Sequence, residues 1–261
     1  MNAALFVGKT GLSAQETALR VISNNLANVN TDGFKRDRAV FEDLIYQTAR
    51  QPGAQSSENT ELPSGLQLGS GVRTVGTQKL FTQGTLQITD QNLDLAIEGR
   101  GFFQVTEPNG TLAYTRNGQF QLNSTGDLVT SEGFLLEPQI TIPSDTTSLT
   151  ISVDGIVSVT QASTETATQI GTIQTADFIN PAGLAAVGSN LYKETTSSGA
   201  PTTGNPGDAG LGQTIQGALE NSNVNSVEEL VDMITVQRAF EMNSKVISTA
   251  DQMLSFVTQQ L

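Results

Sequence analysis

Cysteine, histidine and tryptophan are all missing from the 261 residues, and aromatic side chains make up only 5 %. Without thiols or imidazoles there is no cysteine nucleophile, no disulfide, no imidazole acid or base, and no donor set for nearly any zinc, haem or iron–sulfur centre. The lack of cysteine leaves the redox compartment open, because an oxidising exterior and a thiol-free interior read alike. Basic residues are scarce too: 13 Lys and Arg face 26 Asp and Glu, a formal net charge of −13. Lys35, Arg36 and Arg38 form the largest basic cluster. That cluster is too small to draw a polyanion through such a field, so no nucleic-acid partner is expected. No apolar stretch approaches the ~20 residues that span a bilayer, which predicts no membrane insertion. The run Ala3 to Val7 is shorter than a signal-peptide core, and Lys9 follows it rather than preceding it. The expectation is a chain that stays inside or leaves by a route reading no cleavable signal.

What is present is a helical period at both ends. Leu5, Leu12, Leu19 and Leu26 recur every seven residues, with Ile22 and Val29 three positions after the last two. Met233, Phe240, Ile247, Leu254 and Leu261 keep the same interval, and Val236, Ala250 and Val257 fill most of the second core position. Heptads of this kind predict helices whose seam is covered by partner helices, and these residues are the candidate subunit interface. Ser226 with Glu229 reads as a capping box, and no Pro or Gly interrupts the chain from there to Leu261. Gly8 and Gly11 each weaken the first helix by up to ~1 kcal/mol relative to Ala. Packing against other chains is expected to compensate. Met242, Val246 and Met253 fall on another face of the C-terminal helix, so it needs cover on more than one side.

Between the ends the period drops to two. Gly101 to Val105, Thr111 to Arg116, Gln119 to Leu122 and Asp127 to Thr130 are strand-like runs punctuated by Asn109-Gly110, Asn117-Gly118 and Gly126-Asp127, in the manner of hairpins. Apolar residues flanking Asp154-Gly155 predict a further hairpin, and Gln169 to Phe178 a further strand region. The expected fold class is α + β: long terminal helices forming a coiled-coil-like domain, a central antiparallel, mostly β domain, and extended linkers. From Gln51 to Asn225 sixteen acidic residues face five basic ones. Tyr46 to Gly71 and Thr195 to Gly212 are rich in Gln, Ser, Thr, Gly and Pro, and by composition are flexible linkers or an extended arm gripping a neighbour.

Little catalytic chemistry remains. Gly99 with Gly101, and Gly69 with Gly71, lack the third glycine and the Lys-Ser/Thr of a phosphate loop, and read as turn glycines. Ser244 and Lys245 are adjacent on a helix and face different ways, which makes a poor dyad. Asp90, Asp94 and Glu98 could in principle serve a carboxylate-dependent glycosidase acting on a cell-wall polymer, but the aromatic platforms of a sugar cleft are missing. No cofactor, metal site or enzymatic activity is expected.

Ser23-Asn24-Asn25-Leu26-Ala27-Asn28-Val29-Asn30-Thr31-Asp32-Gly33-Phe34-Lys35 combines a helix end with an Asp-Gly turn. The stretch resembles the signature of the bacterial flagellar rod and hook axial proteins, with Asn24, Asn25, Leu26, Ala27, Asn28, Gly33 and Phe34 carrying the motif. Arg38 to Leu44, Gln51 to Ser57, Leu62 to Gln67, Gly101 to Val105, Ser222 to Asn225, Glu228 to Val231 and Gln237 to Glu241 continue the likeness from end to end. The first three look like the distal-rod member. The resemblance implies a self-assembling helical homopolymer, a hollow and stiff distal rod that crosses the periplasm and passes motor torque to the hook. Implied partners are proximal rod proteins, the hook protein, the P-ring and L-ring proteins, the rod cap and the flagellar type III export apparatus. The implied division is an inner-tube helical domain (1–30 and 226–261), a connecting domain (31–72 and 206–225) and an outer β domain (73–205). The arm 46–71, with Tyr46, Gln51, Pro52, Gly53, Leu62, Pro63 and Leu66, is then an ordered brace between subunits. Another axial member, proximal-rod or hook, is the alternative within the family.

Overall fold

In the computed structural model, which describes residues 2–53, 55–57, 60–61, 63–162, 164–208 and 210–259, both heptad regions are helical. Helix α1 spans Asn2–Ala27 and α2 spans Ser226–Gln259. At ~1.5 Å per residue they are about 39 and 51 Å long. At the start of α2 the Asn225 Oδ1 accepts the Val227 N–H at 3.1 Å, and the Asn225 carbonyl accepts the Glu229 N–H at 3.0 Å. A side-chain cap therefore sits at Asn225, one residue before the Ser226 of the expected capping box. Glu229 points inward, where its carboxylate accepts from the Asn25 amide.

The chain divides into two compact units. Unit 1 holds Met1–Ala27, Asp37–Gln78 and Asn225–Leu261; unit 2 holds Asn28–Arg36 and Lys79–Val224. In unit 1 α1 and α2 run antiparallel, and the two glycines of α1 sit at their contact. A Cβ on Gly8 would lie 2.8 Å from Ile247 Cγ1, and one on Gly11 3.0 Å from Asn243 Nδ2. Close approach of the chain's own second helix thus offsets the poor helix propensity at Gly8 and Gly11, where cover from other chains was expected.

The remainder of unit 1 is a ladder and a ribbon. Asp37–Asp43 pairs with Val72–Lys79. Tyr46–Arg50 pairs antiparallel with Leu66–Gly69, with Tyr46 opposite Gly69 and Thr48 opposite Gln67, and beyond them Gln55–Ser57 pairs with Thr60–Glu61. The described residues of Tyr46 to Gly71, ambiguous by composition, therefore form a β-ribbon. Gly65 is required there, since a Cβ would meet the Arg50 carbonyl at 2.5 Å.

Unit 2 is mainly antiparallel β, with one short 3-10 turn at Pro181–Gly183. One nine-stranded sheet runs Phe120–Leu122, Leu128–Thr130, Leu135–Glu137, Phe102–Thr106, Leu112–Thr115, Leu191–Lys193, Ala185–Gly188, with Thr175–Asp177 pairing both Phe102–Thr106 and Thr202–Gly204. Thr146–Ile151, Ile156–Gln161 and Thr164–Thr172 form a second sheet. The Asp154-Gly155 hairpin closes as expected, with the Gly155 N–H on the Ser152 carbonyl at 2.9 Å. Asn117-Gly118 does not form a hairpin: the strands on either side of it take other partners, and Gly118 lies where a Cβ would be 1.6 Å from the Leu95 carbonyl oxygen. Close approach of another strand, rather than a tight turn, explains this glycine. Within the Thr195 to Gly212 segment, linker or arm by composition, Ser198 is buried and its hydroxyl donates to the Thr195 carbonyl at 2.9 Å, and Thr202–Gly204 pairs with Thr175–Asp177. Between the sheets Leu95, Ile97, Phe103, Phe120, Leu136 and Ile173 form the main core, and Phe102, Tyr114, Phe178 and Tyr192 a second, edge-to-face aromatic cluster. No helix among the described residues is long and apolar enough to cross a membrane.

Candidate functional site

The candidate interface residues fall mostly along the line where α1 and α2 meet. Ile22 and Ala250 are buried; Leu5, Leu12, Leu19, Leu26, Met233, Val236, Ile247 and Leu254 are half-buried, and Phe240 is exposed. Val29 lies past the end of α1, half-buried in unit 2. The Val257 side chain and Leu261 lie outside the described residues. A second apolar stripe runs along the opposite side of α2. At about 100° per residue, Val227, Val231, Ile234, Met242, Met253 and Phe256 project between about 120° and 180° away from Ile247, and all of them are half or more exposed. Only Met242, Val246 and Met253 of this face stood out in the sequence. The missed signal is an eleven-residue step, from Val231 to Met242 to Met253, which follows a straight helix more closely than a heptad does.

The motif residues have identifiable tasks. Asn25 is buried; its Oδ1 accepts the Asp37 N–H and its Nδ2 donates to the Asp37 carbonyl, both at 2.9 Å, while Nδ2 also reaches the Glu229 carboxylate at 3.2 and 3.3 Å. Leu26 and Ala27 complete the last turn of α1, with Asn24 exposed beside them. Asn28 begins the turn that follows, accepting the Thr31 N–H on its carbonyl and the Thr31 hydroxyl on its Oδ1, both at 3.2 Å. Gly33 has φ +70 and donates its N–H to the Glu220 carbonyl at 2.7 Å; a Cβ would be 2.6 Å from the Asn117 nitrogen. Only glycine fits this conformation at such close range. Phe34 is buried, with the Lys79 ammonium 5.2 Å from its ring centre.

Lys35 ends the motif inside unit 2 and is 0 % exposed. Its Nζ lies 2.6 Å from Glu220 Oε1 and 2.8 Å from the Thr82 carbonyl. Arg116 closes on the other carboxylate oxygen at 3.2 Å and donates to the Gly99 carbonyl at 2.6 Å. The Gly84 N–H adds a third donor to the Glu220 carboxylate at 2.9 Å. Burial pushes the Lys35 amine down from its ordinary value, against the pull of Glu220, and acts on Arg116 in the same direction. One carboxylate thus holds two buried cations drawn from distant parts of the chain. Nothing in the local sequence of Glu220 or Arg116 marks them as buried.

The brace residues line the ribbon. Tyr46 and Leu66 are about half exposed, Gln51, Pro52 and Gly53 form an exposed turn with Gly53 at φ +76, and Pro63 is exposed. Leu62 lies outside the described residues. Of the three acids weighed for hydrolysis, Asp90 and Asp94 line an open groove of about 1110 Å³ in unit 2 and Glu98 does not. Asp94 is buried and accepts the Thr89 hydroxyl. Asp127 accepts from Thr125, Thr141 and Asn123, three residues that line the same groove, and these bonds hold its carboxyl well below the usual carboxylate range.

Three family models match the chain: "Flagella basal body rod protein" over residues 5–35, "Flagellar hook protein FlgE/F/G D1 domain" over 96–159 and "Flagellar basal body rod FlgEFG protein C-terminal" over 215–260. The flagellar basal-body rod protein FlgG of Buchnera aphidicola subsp. Acyrthosiphon pisum is 53 % identical over 259 residues, covering 99 % of this chain and 100 % of the relative. FlgG of Caulobacter vibrioides is 48 % identical, with 98 % of both chains covered, and FlgG of Bacillus subtilis 40 %, with 97 % of both. FlgF of Caulobacter vibrioides, another flagellar basal-body rod protein, matches at 34 % over 100 % of this chain. The three matched segments include Asn25, part of the nine-stranded sheet and most of the C-terminal helix, and by full-length identity this chain belongs to the FlgG family of flagellar basal-body rod proteins.

Proposed function

We propose that this protein is a structural axial subunit of the distal rod in the flagellar basal body, polymerising with copies of itself into a hollow helical shaft that passes motor torque to the hook. It reaches the growing end unfolded through the flagellar type III apparatus, beneath a rod cap. It continues from the proximal rod proteins, meets the hook protein, and turns inside the P- and L-rings. The terminal helices (1–30 and 226–261) form the inner tube, where their seams wind with those of neighbours in coiled-coil fashion. Residues 31–72 and 206–225 connect, 73–205 face outward, and the ribbon 46–71 braces adjacent subunits. Its work is assembly and mechanical rather than catalytic.

The observation that carries this reading is the second apolar stripe of α2. One face of the helix packs on α1, while the other leaves Val227, Val231, Ile234, Met242, Met253 and Phe256 in water. At ~25 cal/mol per Å² of apolar surface, a row of this length is a strong drive to associate. Ile234→Asp should abolish polymerisation, seen by sedimentation and electron microscopy, with the β unit still folded; a normal filament would sink the reading. Deleting residues 46–63 should give a more bendable filament, and unchanged curvature in micrographs would remove the brace.

A further inference from the structure

The last strands of unit 2 bond to several separate parts of that unit. Gln213–Gln216 pairs with Leu95–Glu98, and Ala218–Glu220 pairs with Leu86–Ile88. Among the described residues each pair is a two-stranded sheet of its own, so neither earlier strand has another ladder partner. Leu95 and Ile97 nevertheless belong to the main core. The same segment reaches the hairpin of the second sheet. Thr214 is buried, with its hydroxyl on the Ser152 carbonyl at 2.9 Å and its N–H on the Val153 carbonyl at 3.1 Å. Gln216 accepts the Ile151 N–H at 2.9 Å and donates to the Asn92 carbonyl at 2.8 Å.

Charge adds a second dependence. Lys35 and Arg116 stand 185 and 104 residues before Glu220, the carboxylate that they share. Both cations are buried in the finished unit. Burying them ahead of that carboxylate would take two like charges out of water with no counter-charge. Before residues 213–220 arrive, therefore, Leu95–Glu98 lacks its ladder and the sites of Lys35 and Arg116 cannot close dry. One segment supplies both missing parts.

We propose that residues 213–220 are a folding gate, and that unit 2 stays open until they seat. A chain that emerges amino end first, as every chain does in synthesis, then keeps the sheets of unit 2 unlocked until its last strands are free. Under the rod reading above, on which this use of the gate rests, the delay keeps the β region threadable during export.

The test compares two proline substitutions in the full chain. Thr214→Pro removes both the hydroxyl and the N–H that reach the hairpin, whereas Ala186→Pro damages Ala185–Gly188, at the edge of the nine-stranded sheet. Hydrogen exchange should show Thr214→Pro lowering protection of Phe102–Thr106 and Ile156–Gln161 by about a hundredfold or more, with Ala186→Pro leaving both within about threefold of the unsubstituted chain. Protection kept in both strands under Thr214→Pro would overturn the gate. Equal loss under the two variants would overturn it too, because any broken strand would then open the unit. Thr214→Val is milder, since it keeps the N–H and the shape of the side chain. It should slow refolding of both strands together by about fivefold and change unfolding by less than about twofold. An effect confined to unfolding would place the seating of residues 213–220 after closure, against the proposal. Both measurements use the monomer, so failure of the unsubstituted chain to polymerise would remove the rod reading and leave the gate standing.

Discussion

The two units distribute apolar surface in opposite ways. In unit 2 the large residues of the sheets close on one another: Phe103, Val105, Leu136, Val157 and Ile173 are fully buried. Among the described residues of unit 1 the buried hydrophobics are only Ala14, Ile22 and Ala250, whereas Phe6, Leu230, Ile234, Met242 and Phe256 lie open. Unit 2 has the core of an independent domain, and unit 1 has one sealed helix contact with its other faces bare. The pattern separates a part whose apolar surface a single chain covers from a part whose apolar surface it leaves largely open.

The contrast breaks most sharply at Glu220. Glu220→Ala leaves the buried Lys35 and Arg116 charges without their carboxylate, and should cost unit 2 about 3–5 kcal/mol. Denaturant titration with hydrogen exchange should show strand Phe102–Thr106 losing protection; if that strand kept it, Glu220 would not be central to unit 2. A smaller effect is expected from pH. The Asp127 carboxyl titrates lower in the folded state than in the unfolded chain. Its contribution is therefore complete above the ordinary carboxylate pKa near 3.8 and declines as pH falls below that value. Asp127→Asn should flatten the acid limb of thermal unfolding for unit 2, and an unaltered limb would assign the acid sensitivity elsewhere. The smallest change is expected in unit 1. Gly8→Ala gains up to ~1 kcal/mol of helix propensity but presses on the end of the Ile247 side chain. The net should stay within about 1 kcal/mol by circular dichroism, and loss of the helix pair would mean that the contact is more rigid than its partner atom suggests.

Legibility in the sequence followed the same division. The heptads from Leu5 and Met233 located both helices, and the alternation around Val105 and Asp154-Gly155 located strands, because periodicity reports which face of an element is covered. Periodicity does not report what covers it. The seam therefore did not reveal that Ile247 packs on Gly8 of the same chain, and Asn117-Gly118 looked like a hairpin although its glycine answers to a passing carbonyl. Tyr46 to Gly71 had no period strong enough to separate ribbon from coil, since a two-stranded ribbon open to water needs no alternation.

Composition and spacing by themselves determined that this chain has no thiol or imidazole chemistry, an excess of acid, helical ends around a β middle, and the Asn25 to Lys35 signature. Only the tertiary structure decided which charges are buried, which amides are buried with them, and which side of α2 is left bare. Those properties depend on side chains brought together from positions such as 35, 116 and 220. Spacing along a chain cannot encode a meeting of that kind, because folding creates the low-dielectric surroundings in which the meeting matters.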